Sequence, residues 1–145
     1  MEQKMYTCID QNGTLIVSVA SGCEIVTALE RLCSDLDLQA GEITGLGAIS
    51  GATLRFFDPR VKHYVDKTFE EQMEIANLTG NISRSEGKPY LHVHACLGRA
   101  DYTMIGGHLL RAVVRGACEL FVRPMPGPVG RRRFDPETGL NLYEF

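Results

Sequence analysis

The chain has 145 residues, of which 44% are apolar and 23% charged, and its 15 basic and 18 acidic side chains give a net charge of −3. This length and composition are typical of one globular domain, and the slightly acidic balance excludes a general attraction to polyanions such as nucleic acids. No apolar run approaches the roughly 20 residues that cross a bilayer. Cys8 and Asp10 also interrupt the segment where a secretion signal needs its apolar core. We therefore expect a cytoplasmic protein with no membrane partner.

The five cysteines are scattered along the chain, and none forms a C-x-x-C pair. They are Cys8, Cys23, Cys33, Cys96 and Cys118. A disulfide framework or a thiolate zinc site would need clustered cysteines. We therefore expect reduced thiols, most of them buried as small apolar side chains.

The first 40 residues predict a hairpin followed by a helix. Residues 6–10 and 14–20 have the composition of strands, and Asn12-Gly13 between them supplies the positive-φ positions of a tight turn. Ser21 and Glu24 have the spacing of a capping box at a helix N-terminus. Apolar residues then recur at helical spacing, and these are Ile25, Leu29, Leu32 and Leu36.

The middle of the chain is rich in strand-forming residues. Residues 41–59 are dotted with glycine, which predicts a strand with a bulge or bend that ends at Asp58-Pro59. Further strands are predicted at 68–83, 90–98, 102–110 and 112–124. Strands therefore outnumber helices, and the expected class is α+β, with a largely antiparallel sheet and one main helix.

The composition changes after Arg123, because three prolines at 124, 126 and 128 exclude regular structure there. We predict a domain over residues 1–123 and a tail over 124–145 that packs on the same domain. Within this tail, 130–135 is interpreted as a solvated basic segment, and 134–145 as a turn with a short terminal strand.

Three of the four histidines lie in the segment 88–110. Side chains alternate between the two faces of a strand, so an apolar face with Val93 is expected opposite a face with His92 and His94. A three-residue loop that pairs Gly98 with Tyr102 would place His92 opposite His108 and His94 opposite Gly106. Opposite residues of an antiparallel pair point to the same face.

Such a register predicts a divalent-metal site formed by His92, His94 and His108. Three imidazole nitrogens with one open position are typical of catalytic rather than structural zinc, and zinc is the expected metal. Gly106 would leave space beside the ion. A register slip of one residue would send His108 to the opposite face. His63 has no other histidine close to it in the sequence and is interpreted as a solvated loop residue.

Four segments together resemble the PPC domain, the family conserved in plants and prokaryotes. They are 45–55, 71–83, 89–98 and 106–114, and they occur in the order found in that family. The resemblance covers about residues 5 to 123 and implies a prokaryotic, cytoplasmic, homotrimeric protein. Prokaryotic members carry the histidines, whereas the plant proteins lack those of the H-x-H segment.

Members of this family are often described as DNA-binding or regulatory, largely because the plant proteins carry an AT-hook. No R-G-R-P segment of that kind occurs in this sequence. An acidic chain without a basic stripe also lacks the charge pattern of a DNA-binding protein. Any DNA binding is therefore expected to be weak.

The fold of the family is also similar to that of acetolactate decarboxylase, which holds zinc through an H-x-H pair and a later histidine. That resemblance implies an arginine and carboxylates near the metal, for which Arg55 and Glu119 are the candidates. The alternative interpretations are an arginine at a sheet edge and a solvent-facing strand residue. Asn81, a polar residue within a predicted strand, either joins the site or caps a turn.

Two classes of function remain open from the sequence. One is a regulatory or DNA-associated trimer in which the metal is structural or sensory. The other is a metal-dependent enzyme, a lyase or hydrolase, that acts on a small oxygenated molecule. The family resemblance supports the first, and the open three-histidine site supports the second.

Overall fold

In the computed structural model, which describes residues 4–128 and 130–145, the described chain forms one helix and nine strands. Strands β1 to β3 are Tyr6–Gln11, Thr14–Val19 and Gly41–Asp58, and the helix α1, Ile25–Asp35, separates β2 from β3. Strands β4 to β6 are His63–Phe69, Met73–Ser85 and Lys88–Gly98. Strands β7 to β9 are Met104–Pro124, Arg131–Asp135 and Leu140–Glu144. The predicted α+β class is confirmed.

The strands belong to a single sheet whose pairing closes on itself. Strand β3 pairs with both β7 and β5, and β6 pairs with both β5 and β7. All of these pairs are antiparallel, as the sequence predicts. Two strand predictions were wrong: residues 102–110 and 112–124 do not form separate strands, because β7 runs without a break from Met104 to Pro124. The strand predicted at 68–83 is interrupted at 70–72, between β4 and β5. No helix among the described residues is long and apolar enough to cross a membrane.

The hairpin β1–β2 is turned by Asn12 and Gly13 as expected, with φ angles of 54° and 87°.

The start of the helix differs from the prediction. The helix begins at Ile25, so Glu24 itself is the N-cap, and its carboxylate accepts hydrogen bonds from the backbone N–H groups of Val26 and Thr27 at 3.0 and 2.8 Å. The carboxylate of Glu24 also accepts from the Ala112 N–H at 2.9 Å, which ties α1 to β7.

The glycines of β3 allow close contact with β7 of the same chain. A Cβ atom at Gly47 would lie 2.4 Å from the Ala117 carbonyl oxygen, and one at Gly45 would lie 2.3 Å from a side-chain carbon of Leu120. The register shifts at these positions, which confirms the predicted bulge. Packing of β3 against β7 within the chain therefore requires glycine at these two positions, whether or not β3 also contacts another subunit.

The core lies on the inner face of the closed part of the sheet and under α1. It includes Ile25, Leu29 and Leu32 of the helix, each at most 1% exposed. Leu36, the last residue of the predicted stripe, is instead the C-cap and is 44% exposed. All five cysteines are free thiols; Cys33 and Cys118 are buried and Cys96 is exposed.

The C-terminal segment is more ordered than the prolines imply. Residues 130–135 were predicted to be a solvated basic segment, but 131–135 form β8, which pairs with β9 and meets β5 at Arg84 and Arg131. The Lys62 ammonium also donates to the Pro136 carbonyl at 2.9 Å. The segment after Pro124 thus contacts the rest of the domain, while the division at residue 123 stays a prediction.

Candidate metal centre

Strand β6 presents an apolar face to the core and a polar face to the outside. Val93 and Leu97 are 2% and 0% exposed, whereas His94 and Cys96, which alternate with them, are exposed. His92 is half-buried on the same outer face. The alternation expected from the sequence is therefore present, and it places two histidines one above the other on the outside of the sheet.

The register between β6 and β7 differs from the prediction by two residues. Gly98 pairs with Met104, so the connecting loop has five residues rather than three, and His94 lies directly opposite His108. Gly106 lies opposite Cys96 instead of His94. Because the shift is an even number, every side chain keeps its face. The three histidines still converge, but Gly106 does not open the space beside them.

The three imidazoles form one compact cluster. The Nε2 atoms of His92 and His94 are 3.2 Å apart, and one ring nitrogen from each of the three histidines lies within 4.8 Å of the others. The ring centroid of His108 is 5.3 Å from that of His92 and 5.5 Å from that of His94. Tetrahedral zinc ligands with bonds of 2.0–2.1 Å lie roughly 3.3 Å apart. The cluster therefore needs little adjustment to hold an ion.

The surroundings of the cluster favour neutral imidazoles. Burial, the other two histidines and the charge of Arg55 lower the pKa of His108 to about 4. Burial, His94 and the charge of Arg132 also lower the pKa of His92. A metal ligand must be the unprotonated imidazole, and these two side chains are in that form at neutral pH. The donor set thus fits a divalent ion such as zinc, which would supply a Lewis acid with a position left for an oxygen ligand.

One side of the cluster is formed by β3 and β4. Arg55 lies opposite His108 on one neighbour and opposite Asp66 on the other. Its guanidinium binds the Asp66 carboxylate at 2.7 and 3.3 Å and lies 4.5 Å from the centre of the Tyr64 ring. The Tyr64 ring centroid is in turn 5.4 Å from that of His108. The Arg55 candidate is therefore beside the cluster and held by two partners.

The other side is formed by β5 and the C-terminal hairpin. Asn81 lies opposite His92, and its side-chain oxygen accepts hydrogen bonds from Arg132 at 2.9 Å and from the Tyr143 hydroxyl at 3.3 Å. The Arg132 guanidinium lies 3.9 Å from the centre of the Tyr143 ring and 5.1 Å from that of Tyr90. Asn81 thus anchors an arginine close to the histidines rather than capping a turn.

Two other residues singled out from the sequence, Glu119 and His63, lie outside the cluster. Glu119 lies far along β7, opposite Ser18 of β2 and Leu46 of β3, and it is exposed. It is therefore not brought to the histidines of its own chain. His63 is exposed, as expected, but it is the first residue of β4 and not part of a loop.

Sequence reasoning missed the residues that flank the histidines, namely Tyr64, Asp66, Tyr90, Arg132 and Tyr143. Four of them come from strands whose partners the sequence does not reveal, and β8 was not predicted as a strand at all. The arginine run 131–133 and the distant Tyr143 have no spacing that predicts a common site. The one available signal was Tyr90, which shares the outer face of β6 with the histidines.

The chain belongs to the Plants and Prokaryotes Conserved (PCC) domain family, whose model matches residues 7–126. This is the family that the four sequence segments resemble. None of the curated proteins is similar enough to the chain to count as a match.

Solved structures share the fold over nearly the full chain. A protein from Bacteroides thetaiotaomicron, named a "putative DNA binding protein", is 46% identical, with a TM-score of 0.94 over 97% of this chain and 98% of its own. A metal-containing protein from Archaeoglobus fulgidus is 33% identical, with a TM-score of 0.87 over 100% of both chains. A protein from Staphylococcus aureus described as similar to α-acetolactate decarboxylase is 9% identical, with a TM-score of 0.54 over 81% of this chain and 53% of its own, a likeness of fold alone.

Proposed function

We propose that the chain binds one divalent metal ion, zinc by preference, through His92, His94 and His108, and that the ion receives a small oxygen-containing ligand at its open position. The observation that carries this proposal is the convergence of three ring nitrogens within 4.8 Å of one another. The metal-containing relative from Archaeoglobus fulgidus, aligned over its whole length, supports it.

The exposure of the cluster supports an open coordination position. His94 is exposed, whereas His92 and His108 are half-buried, so the side of the site next to His94 faces solvent. Arg55 is the group of this chain best placed to contact an anionic part of a ligand there. The ion pair with Asp66 holds the Arg55 guanidinium beside His108, and the Asp66 carboxylate offsets part of its positive charge. An ion with an open position and a fixed arginine beside it is an arrangement suited to a metal-dependent lyase or hydrolase.

Cobalt substitution tests the open position. Cobalt(II) in a three-histidine site absorbs visible light, and we expect the bands to change when azide or acetate is added. His94→Ala should abolish the bands, and His63→Ala, which removes an exposed histidine outside the cluster, should leave them intact. Bands that do not respond to any added anion would show a closed site and contradict the proposal of a ligand-binding metal.

We also propose that the protein is a cytoplasmic homotrimer, as the family resemblance implies. A row of apolar side chains on the outer face supports self-association, since Ile9 of β1 and Phe121 of β7 are 62% and 49% exposed and both lie opposite Ile16 of β2. The five free thiols fit a reducing compartment. Light scattering at micromolar concentration should report three chains for the wild type and fewer for Phe121→Lys. A monomeric wild type would refute the trimer.

DNA association is a second candidate, favoured by the name of the relative from Bacteroides thetaiotaomicron. With a net charge of −3, we expect only weak, non-specific binding that falls steeply as salt rises, because it would depend on phosphate contacts. Fluorescence anisotropy with labelled duplexes measures this. A sequence-selective, nanomolar complex at physiological salt would favour the regulatory function instead.

A further inference from the structure

A cavity rich in arginine lies between the β5–β6 turn and the C-terminal hairpin, and one of its lining residues, Arg132, is also bound to Asn81 next to the histidines. We call it the arginine cavity. It has a volume of about 470 Å³, and its lining includes Gln39, Arg84, Glu86, Arg131, Arg132 and Glu144. Small-molecule sites have volumes of about 300–1,000 Å³, so the cavity has the size of a small metabolite.

The guanidinium groups of the arginine cavity have no carboxylate partners among the described residues. No ion pair within 4.0 Å involves Arg84, Arg131 or Arg132 in the described chain. The lining carboxylate of Glu144 is bound instead to Arg133, at 3.2 Å. Three cationic groups therefore face one cavity while one of its two acids is already paired. The cavity has an excess of positive charge although the whole chain is acidic.

Arg132 is held rigidly at the edge of the cavity next to the histidines. Its guanidinium donates to the Ser83 hydroxyl at 2.9 Å and to the Asn141 carbonyl at 3.2 Å, in addition to the Asn81 side chain. All of these acceptors are neutral, so the positive charge is retained. Arg84 likewise donates to a neutral acceptor, the Gly87 carbonyl. Such fixed guanidinium groups lose little entropy when they bind an oxyanion.

We propose that the arginine cavity is a binding site for a small oxyanion, a phosphate or carboxylate group of a metabolite. Guanidinium groups bind such oxygens through paired, charge-assisted hydrogen bonds. The site is distinct from the metal centre, although Arg132 connects the two through Asn81, which lies opposite His92. The proposal needs no metal and stands or falls separately from the proposed metal-binding function.

Isothermal titration with two probes, pyrophosphate and citrate, tests the proposal. The protein is titrated at low salt after removal of metal and again after zinc loading. The double variant Arg84→Gln/Arg131→Gln removes two cavity charges but keeps Arg132, which the hairpin needs. Arg115→Gln is the matched control, because Arg115 is exposed on β7 and does not line the cavity. Circular dichroism and thermal unfolding verify that each variant is folded.

We expect saturable binding of at least one probe to metal-free wild type, with one site per chain. The double variant should bind at least about tenfold more weakly, as expected for loss of hydrogen bonds to a charged group, while Arg115→Gln should change the affinity by less than about twofold. The probe that binds more tightly distinguishes phosphate from carboxylate ligands. Failure of both probes to bind would refute the proposal, as would equal weakening by the control. Binding of a DNA duplex through Arg84 and Arg131, with no binding of either probe, would assign the arginines to a DNA surface instead.

Discussion

Gly106 provides the sharpest test of the strand register that assembles the histidine cluster. An added Cβ at Gly106 would lie 2.7 Å from the Ala95 carbonyl oxygen and 3.5 Å from the Cys96 Cα. These are backbone atoms of β6 and do not give way like the end of a side chain. Gly106→Ala should therefore push β7 away from β6, at a cost of about 1–3 kcal/mol for overpacking.

Gly98→Ala is the matched control, because it adds the same methyl group to the same hairpin. The nearest atom to its Cβ would be the Met104 sulfur at 3.5 Å, an ordinary contact. Both changes reduce the entropy of the unfolded chain equally, so the difference between them isolates the steric effect.

Urea unfolding of metal-free protein is the assay. A loss of about 2 kcal/mol with an m-value of about 2 kcal/mol/M lowers the midpoint by roughly 1 M. We expect that shift for Gly106→Ala relative to Gly98→Ala, together with weaker zinc binding because His94 and His108 lie on the two separated strands. Equal midpoints for the two variants would show that Gly106 does not face the β6 backbone, and the register would be wrong.

Three further predictions concern protonation, thiols and the C-terminal hairpin. With the pKa of His108 at about 4 and about 6.5 in the unfolded chain, the unfolded state binds more protons between these values, so metal-free protein should lose stability as pH falls through this range. His108→Gln should lose less, and equal losses in urea unfolding would contradict this. Burial raises the pKa of the Cys33 and Cys118 thiols to about 11 and 12, so Ellman's reagent should react with folded protein first at exposed Cys96, and a fast phase that survives Cys96→Ser would refute this. Arg132→Met should destabilise the protein by about 1–3 kcal/mol, because it removes the guanidinium donor to the buried Ser83 hydroxyl and to the part-buried Asn141 carbonyl. Unchanged stability with no faster proteolysis after Pro124 would show that Arg132 does not hold the hairpin.

The histidine cluster was predictable because it depends on local rules. Alternation along β6 fixes which face His92 and His94 occupy, and any even-numbered register brings His108 to the same face. The register itself was not predictable from a glycine and an assumed loop length. The loop has five residues because Tyr102 adopts a φ of 66° and the Asp101 carboxylate accepts from the Thr103 N–H at 3.0 Å. The residue types of the segment GRADYT do not predict that conformation.

The environment of the cluster required the tertiary structure. Arg55 was a candidate because of a family resemblance, but its partner Asp66 belongs to β4, a strand that the sequence did not reveal. Arg132 was assigned to a solvated segment because three consecutive arginines are usually exposed. Its neighbours Arg131 and Arg133 are indeed exposed, whereas Arg132 points between two tyrosine rings. Only the pairing of β8 with β5 and β9 makes that position different from the other two.

The metal content of the purified protein tests the central proposal most directly. Protein made without a histidine tag is loaded with zinc, dialysed and analysed by atomic emission, alongside His94→Ala and the control His63→Ala. We predict about one zinc ion per chain in the wild type and in His63→Ala, and none in His94→Ala, since the ligand atoms of His92, His94 and His108 form one cluster. A folded wild-type protein that retains no metal, or a His94→Ala variant that retains as much as the wild type, would contradict the proposed site.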